Sequence, residues 1–212
     1  MQNNITKDEM SIFQDIAETG MMHSLTAMSR LSRREWNIFP HEFKFLPYNE
    51  AIAKLPVKEP ARYGGELSFS GETPLSIICV FNQESVLNLT HYITDRETRP
   101  EELASMETLT IAEVSNILAN TFLNVFANTI GMKILPRAPR VMIGTRASLL
   151  KEAAGRAECA ADMVLSSEMR LESGHMTMGG EMVIIFSTES FKQLISKIKK
   201  SPSWDDKAWH IF

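Results

Sequence analysis

EVSNILANTFLNVFANTIGMKILPRAP, Glu113 to Pro139, sets a helical pattern against an unhelical composition. At about 100° per residue, Glu113, Asn116, Asn120 and Asn124 fall within a quarter-turn of one another, while Val114, Leu118, Phe122 and Val125 cover the opposite side. The apolar side predicts a helix packed on a core. The amide side is unusual, because asparagine is about half a kcal/mol worse than alanine in a helix: its side chain competes for backbone hydrogen bonds. An ordinary solvent face would carry Lys, Glu and Gln. Glu113 alone reads equally as a first-turn acid favoured by the helix dipole. Asn116 and Asn120 read as caps of a buried strand end, as contacts to another part of the chain, or as an exposed stripe that another molecule recognises.

The rest of the chain limits what that molecule is. With 212 residues and 44% apolar content, the protein can bury a real core as one ordinary domain or two small ones. A net charge of -4 and a pI near 5.8 argue against a sequence-independent grip on nucleic acid, which needs a basic surface to displace counterions. A neutral or cationic partner surface fits better. Cys79 and Cys159 have no CxxC spacing, so neither a disulfide framework nor a zinc site is expected, which suits a reducing cytoplasm. The five histidines form no i, i+4 pair and no Cys/His cluster, so no metal ligated by this chain is expected. MQNNITKDEM lacks a basic and then apolar leader pattern, and runs such as IICVF and MVIIF are too short to span a bilayer; neither export nor a membrane anchor is expected.

The chain says much of this twice. FNQESVLNLTHYI (Phe81 to Ile93) and FSTESFKQLISKI (Phe186 to Ile198) share Phe, Glu-Ser, Leu and Ile at matching places, displaced by 105 positions. Each follows a strand-like run, SIICV or MVII, and a further candidate strand, GELSFSG or EMRLESG, with turns at Gly71-Glu72 and Ser173-Gly174. Each half opens with a long amphipathic helix, MSIFQDIAETGMMHSLTAMSRL (from Met10) and LTIAEVSNILANTFLNVFANTI (from Leu109), aligned with Asp15 opposite Glu113 at a displacement of 98. The expected fold is α+β: a single pseudo-symmetric domain over residues 1–212, built from two duplicated α-β-β-α type repeats at about 9–94 and 106–200. Strands of both halves would share a mainly antiparallel sheet with the two long helices packed on it. PVKEPARYGG (Pro56 to Gly65) and DRETRPEELASMET (Asp95 to Thr108) read as connectors, the second as the repeat boundary. The tail 201–212, with two tryptophans and a phenylalanine, reads either as packed on the body or as a docking peptide or dimer contact.

The Glu113-x-x-Asn116 pair, followed by twenty-two residues and then Pro139, resembles the signature of the CheC/CheX/FliY family, phosphatases of the chemotaxis response regulator CheY. The first helix and FKFLP resemble the family's other signature region, and the resemblance spans roughly Met10 to Lys199. Two departures stand out. Family motifs usually place Ser or Asp four residues before the glutamate, where this chain has Leu109. In the first half Asp15 stands for the glutamate, Glu18 for the asparagine and His41 for the proline, with Pro40 one place early, so a single working site is expected.

The resemblance implies that Asn116 orients the water attacking the aspartyl phosphate and that Glu113 anchors an active-site lysine of the regulator. Phosphoryl transfer depends on positioning more than on proton removal, and a neutral amide can donate and accept beside a dianionic group. A carboxylate such as Glu18 in that place would repel the phosphoryl oxygens. Asn120 and Asn124 would extend the contact surface or bond the neighbouring strand connection, and Pro139 would start a strand. The resemblance further implies no cofactor held by this chain, with Mg2+ supplied in the partner's active site, a cytoplasmic location, and a phosphorylated CheY-type regulator as partner. The deamidase CheD and a second copy of the chain are further partners known to such proteins, and no stretch of sequence decides either. The alternative is an inactive CheC-like adaptor that binds a response regulator or a chemotaxis or flagellar-switch partner.

Overall fold

Amphipathic stretches become long helices here, and the β-branched runs become a sheet buried on both sides. The computed structural model describes residues 5–32, 34–40, 43–56, 58–94, 100–132 and 134–201. The first half runs α1 (Lys7–Ser32), β1 (Asn37–Pro40), β2 (Lys44–Pro47), α2 (Tyr48–Ala53), β3 (Arg62–Gly71), β4 (Leu75–Phe81) and α3 (Gln83–Thr94). The second runs α4 (Pro100–Ile130), β5 (Ile134–Pro136), β6 (Arg140–Gly144), α5 (Arg146–Arg156), β7 (Met163–Ser173), β8 (Met176–Phe186) and α6 (Thr188–Lys200). The order α, β, β, α, β, β, α therefore occurs twice. Between each long helix and its hairpin lie two short strands and a short helix, of which the sequence indicates only the strand expected at Pro139.

Among the described residues eight strands make one sheet in the order β1-β7-β8-β4-β3-β5, with β2 also on β7 and β6 also on β3. All these pairings are antiparallel. At the centre, β4 places Leu75, Ile77, Cys79 and Phe81 against the layer of α1, α3, α4 and α6, and Ile78 and Val80 against α2 and α5. Burial on both faces is why SIICV is apolar at nearly every position instead of alternating. In the larger core Phe13 of α1 lies 5.0 Å from the Phe126 ring of α4 and 5.4 Å from the Phe191 ring of α6, centroid to centroid, so three helices meet in one aromatic cluster.

Two expected connectors are corrected. The described part of Asp95 to Thr108 is helix: α4 begins at Pro100, where a proline's fixed φ suits the first helical position, and continues through good helix formers such as Leu103, Ala104 and Met106. In Pro56 to Gly65 the strand β3 has already begun at Arg62. His41 and the tail beyond Ser201 lie outside the described residues.

Two close approaches seat α4. A Cβ added at Gly65 would come within 2.0 Å of Ser115 Oγ and 3.0 Å of the Ile111 carbonyl oxygen, so the helix rides on β3 at a place only glycine allows. On α1, Ser24 Oγ donates to the carbonyl oxygens of Gly20 (3.1 Å) and Leu118 (3.4 Å), and a Cβ at Gly20 would meet the Phe122 carbonyl oxygen at 3.0 Å. The helix ends at Gly131 in the left-handed region (φ 64°), where the Met132 N–H donates to the Ala127 carbonyl at 3.1 Å. Over Glu102–Asn128 this helix is long and apolar enough to cross a bilayer, which the unbroken runs considered above did not show; 56% of an apolar 18-residue window within it is buried in the fold.

Candidate functional site

The apolar side of α4, from Ile111 through Val114, Leu118 and Phe122, is fully buried, and that fixes which side faces out. Glu113 and Asn124 are exposed; Asn116 and Asn120 are half-buried along the same flank. Among the described residues Glu113 has no ion-pair partner. An unpaired carboxylate on a rigid helix is available to a cation from outside.

The amides are not independent of one another. Asn120 Nδ2 donates to Asn116 Oδ1 at 2.7 Å and to the Asn116 backbone carbonyl at 2.9 Å. One lone pair of the Asn116 amide oxygen is thereby engaged, leaving a second lone pair and the Nδ2 protons for another molecule. Sequence spacing put Asn120 on the flank without revealing this bond, although i, i+4 is the separation at which helical side chains meet. Asn124 makes no such contact among the described residues.

Below the flank, a buried polar group that the motif did not indicate ties α4 down. Glu107 accepts from the Tyr63 hydroxyl at 3.0 Å and from Gln83 Nε2 at 3.2 Å, joining α4 to β3 and to the start of α3. Burial, followed by the bond to Glu107, pushes the Tyr63 phenol above its ordinary range. Its proton stays on oxygen, where it can donate. Leu109, one turn before Glu113 on the same flank, is 63% exposed. Pro139 is exposed in the short link between β5 and β6, immediately before Arg140, which pairs with Glu66 of β3, so the expected strand starts one residue later than the proline.

The corresponding place on α1 is different. Asp15 and Glu18 are exposed beside Thr19, Met22 and His23 around a shallow depression of about 430 Å3. At the displacement of 98, Glu18 stands for Asn116 and Met22 for Asn120, so this helix lacks both the amide and the residue bonded to it. Among the described residues no group of three His, Cys, Asp or Glu side chains converges as a metal site.

No protein-family model matches the sequence. Solved structures do match, across most of the chain. FliY of Thermotoga maritima is 13% identical with a TM-score of 0.72, covering 92% of this chain and 98% of its own. The chain has the CheC/CheX/FliY fold. A chain of the CheX–CheY–BeF3–Mg2+ complex of Borrelia burgdorferi is 15% identical with a TM-score of 0.55 over 82% of this chain and 99% of that one. A chain of the FliG–FliM complex of Helicobacter pylori is 14% identical with a TM-score of 0.62, over 91% and 100%. The CheC/CheX/FliY-like fold is thus found in complexes with quite different contents, and what this chain does must be argued from its own α4 flank.

Proposed function

We propose that this CheC-like chain removes the phosphoryl group from the aspartate of a CheY-type response regulator, using the α4 flank as the part that enters the regulator's active site. One observation carries the proposal: the Asn116 amide, braced by Asn120, stands beside an exposed Glu113, unpaired among the described residues, on a helix fixed against the sheet. Glu113 would pair with a lysine of the regulator and bring Asn116 next to the phosphoaspartate. The amide would hold a water in line with the P–O bond. The water oxygen bonds to phosphorus as the bond to the aspartyl oxygen breaks, inorganic phosphate leaves with the water's protons, and the aspartate is restored. Positioning of this kind supplies most of the catalysis in phosphoryl transfer, because the protein has little covalent chemistry to do. Mg2+ belongs to the regulator in this scheme, and the reaction takes place in the cytoplasm.

The same proposal takes the twice-occurring element order as two copies of one unit, with a single working site because α1 carries Glu18 and Met22 where α4 carries the two amides. The test mixes the protein with a CheY-type regulator phosphorylated by a small phosphodonor in Mg2+ and follows loss of phosphate. Wild type should accelerate it. Asn116→Ala should reduce the acceleration by about 100-fold or more while keeping affinity for the regulator, since removal of one positioning group costs that much. Glu113→Lys should instead weaken binding. Acceleration that survives Asn116→Ala sinks the mechanism. Binding without acceleration in the wild type would make the chain an adaptor, a role for which exposed Leu109 beside Glu113 is a suitable apolar contact.

A further inference from the structure

We infer that Asn120 is a positioning residue: it sets the side-chain orientation of Asn116 and does not serve as a contact for the partner. The inference rests on the phosphatase proposal for its consequence, but its geometry stands in the free protein. Left alone, an asparagine on a helix surface can rotate about its terminal torsion and present either its oxygen or its nitrogen outward. The Asn120 Nδ2 donation at 2.7 Å fixes the choice, since Asn116 Oδ1 must turn toward Asn120 and Nδ2 must turn away. The second donation, to the Asn116 carbonyl at 2.9 Å, holds the Asn120 side chain itself along the helix. With its amide nitrogen engaged twice, Asn120 has little left to offer a partner as a donor.

The arrangement gives the reacting amide a defined face before any partner arrives. Preorganisation of this kind lowers the ordering required in the bound complex. On α1 the matching positions are Glu18 and Met22, and a thioether cannot donate a hydrogen bond. The amide and its brace are missing together there.

Three proteins decide the matter: wild type, Asn120→Leu, which keeps size and neutrality but cannot donate, and Asn120→Gln, whose amide can reach the residue one turn earlier. In the free wild type, both side-chain amide protons of Asn120 should show slowed solvent exchange by NMR, and Asn116→Ala should release the one bonded to Asn116 Oδ1 while the one on the backbone carbonyl stays protected. In single-turnover dephosphorylation at saturating protein, Asn120→Leu should lower the rate by about tenfold or more, as expected for a misaligned reacting group. Its dissociation constant for the BeF3-loaded regulator and its melting temperature should stay unchanged, and Asn120→Gln should restore part of the rate. An Asn120 amide signal that is insensitive to Asn116→Ala overturns the inference. So does an Asn120→Leu variant that binds more weakly yet reacts at the wild-type rate when saturated. If the wild type does not dephosphorylate the regulator at all, the phosphatase proposal fails, and the amide signal still decides the orientation of Asn116.

Discussion

Glu66 shows how one residue can be costly and still useful. It lies on β3 with 0% exposure, accepts from Ser76 Oγ at 2.7 Å, and forms an ion pair with Arg156 at the end of α5, N to O 2.6 Å. Burial raises its pKa, and the bond from Ser76 and the charge of Arg156 offset only part of that. A carboxyl whose pKa is higher in the folded than in the unfolded state stabilises the fold fully below the ordinary glutamate range, about pH 4.3, and loses that contribution as pH rises through the folded value. Glu66→Gln, which keeps an acceptor for Ser76, should therefore remove a component of stability that declines with rising pH. Urea unfolding of both proteins across that range is the measurement, and an unchanged pH slope would show that Glu66 does not titrate as its burial implies. Nothing in GELSFSG marked Glu66 as buried, because strand alternation gives a face but not which faces are covered. The α4 amides were easier: helical period and an odd composition sufficed for Glu113, Asn116 and Asn120, whereas the bond between the two asparagines depends on rotamers.

At the scale of elements, the placement of α4 decides whether the flank is presented correctly, and Gly65 controls that placement. An alanine there would put Cβ 2.5 Å from Ser115 Cβ, well inside contact, so the helix must shift or the strand must bend. Overpacking of this kind costs about 1–3 kcal/mol. For a domain of this size each kcal/mol lowers the melting temperature by about 2–4 °C. Gly65→Ala should show that loss together with reduced dephosphorylation, since Glu113 and Asn116 straddle Ser115. Adding Ser115→Gly removes the opposing atoms, and a double-mutant cycle should show a favourable coupling between the two changes despite the cost of glycine within a helix. Additive losses would mean that the approach of α4 to β3 is slack. The sequence displays Gly64-Gly65 but not what lies over them, so by sequence alone the stretch reads as a connector. Likewise the sequence pattern gives only the part of α4 from Leu109 onward, because the charged residues and the proline before it resemble a linker, whereas Pro100 suits the first position of a helix.

The whole molecule is knit by strands that cross between halves. Among the described residues, β1 and β2 of the first half pair only with β7 of the second, β5 and β6 of the second pair only with β3 of the first, and β4 pairs with β8 at the centre. Internal similarity in the sequence exposed the matching strand-to-helix passages, and the structure gives them matching caps: the Ser85 N–H donates to Asn82 Oδ1 at 2.7 Å and the Ser190 N–H to Ser187 Oγ at 3.0 Å. It could not expose the exchange of partners, since pairing between distant strands leaves no local pattern. That exchange has a thermodynamic consequence. A half made alone would leave β1, β2 and one edge of β4 without their partners and would expose the inner surfaces of α1 and the sheet, so neither half should hold enough core to offset its chain entropy. Cutting the chain between Thr94 and Pro100 should yield two fragments that each lack a cooperative unfolding transition. Mixed, they should recover the helical and sheet signals with a stoichiometry of one to one, at a stability that rises with concentration as for any association-coupled fold. A first-half fragment that unfolds cooperatively by itself would show that β3 and β4 with α1 and α3 suffice, and that the crossed strands only decorate a core already complete.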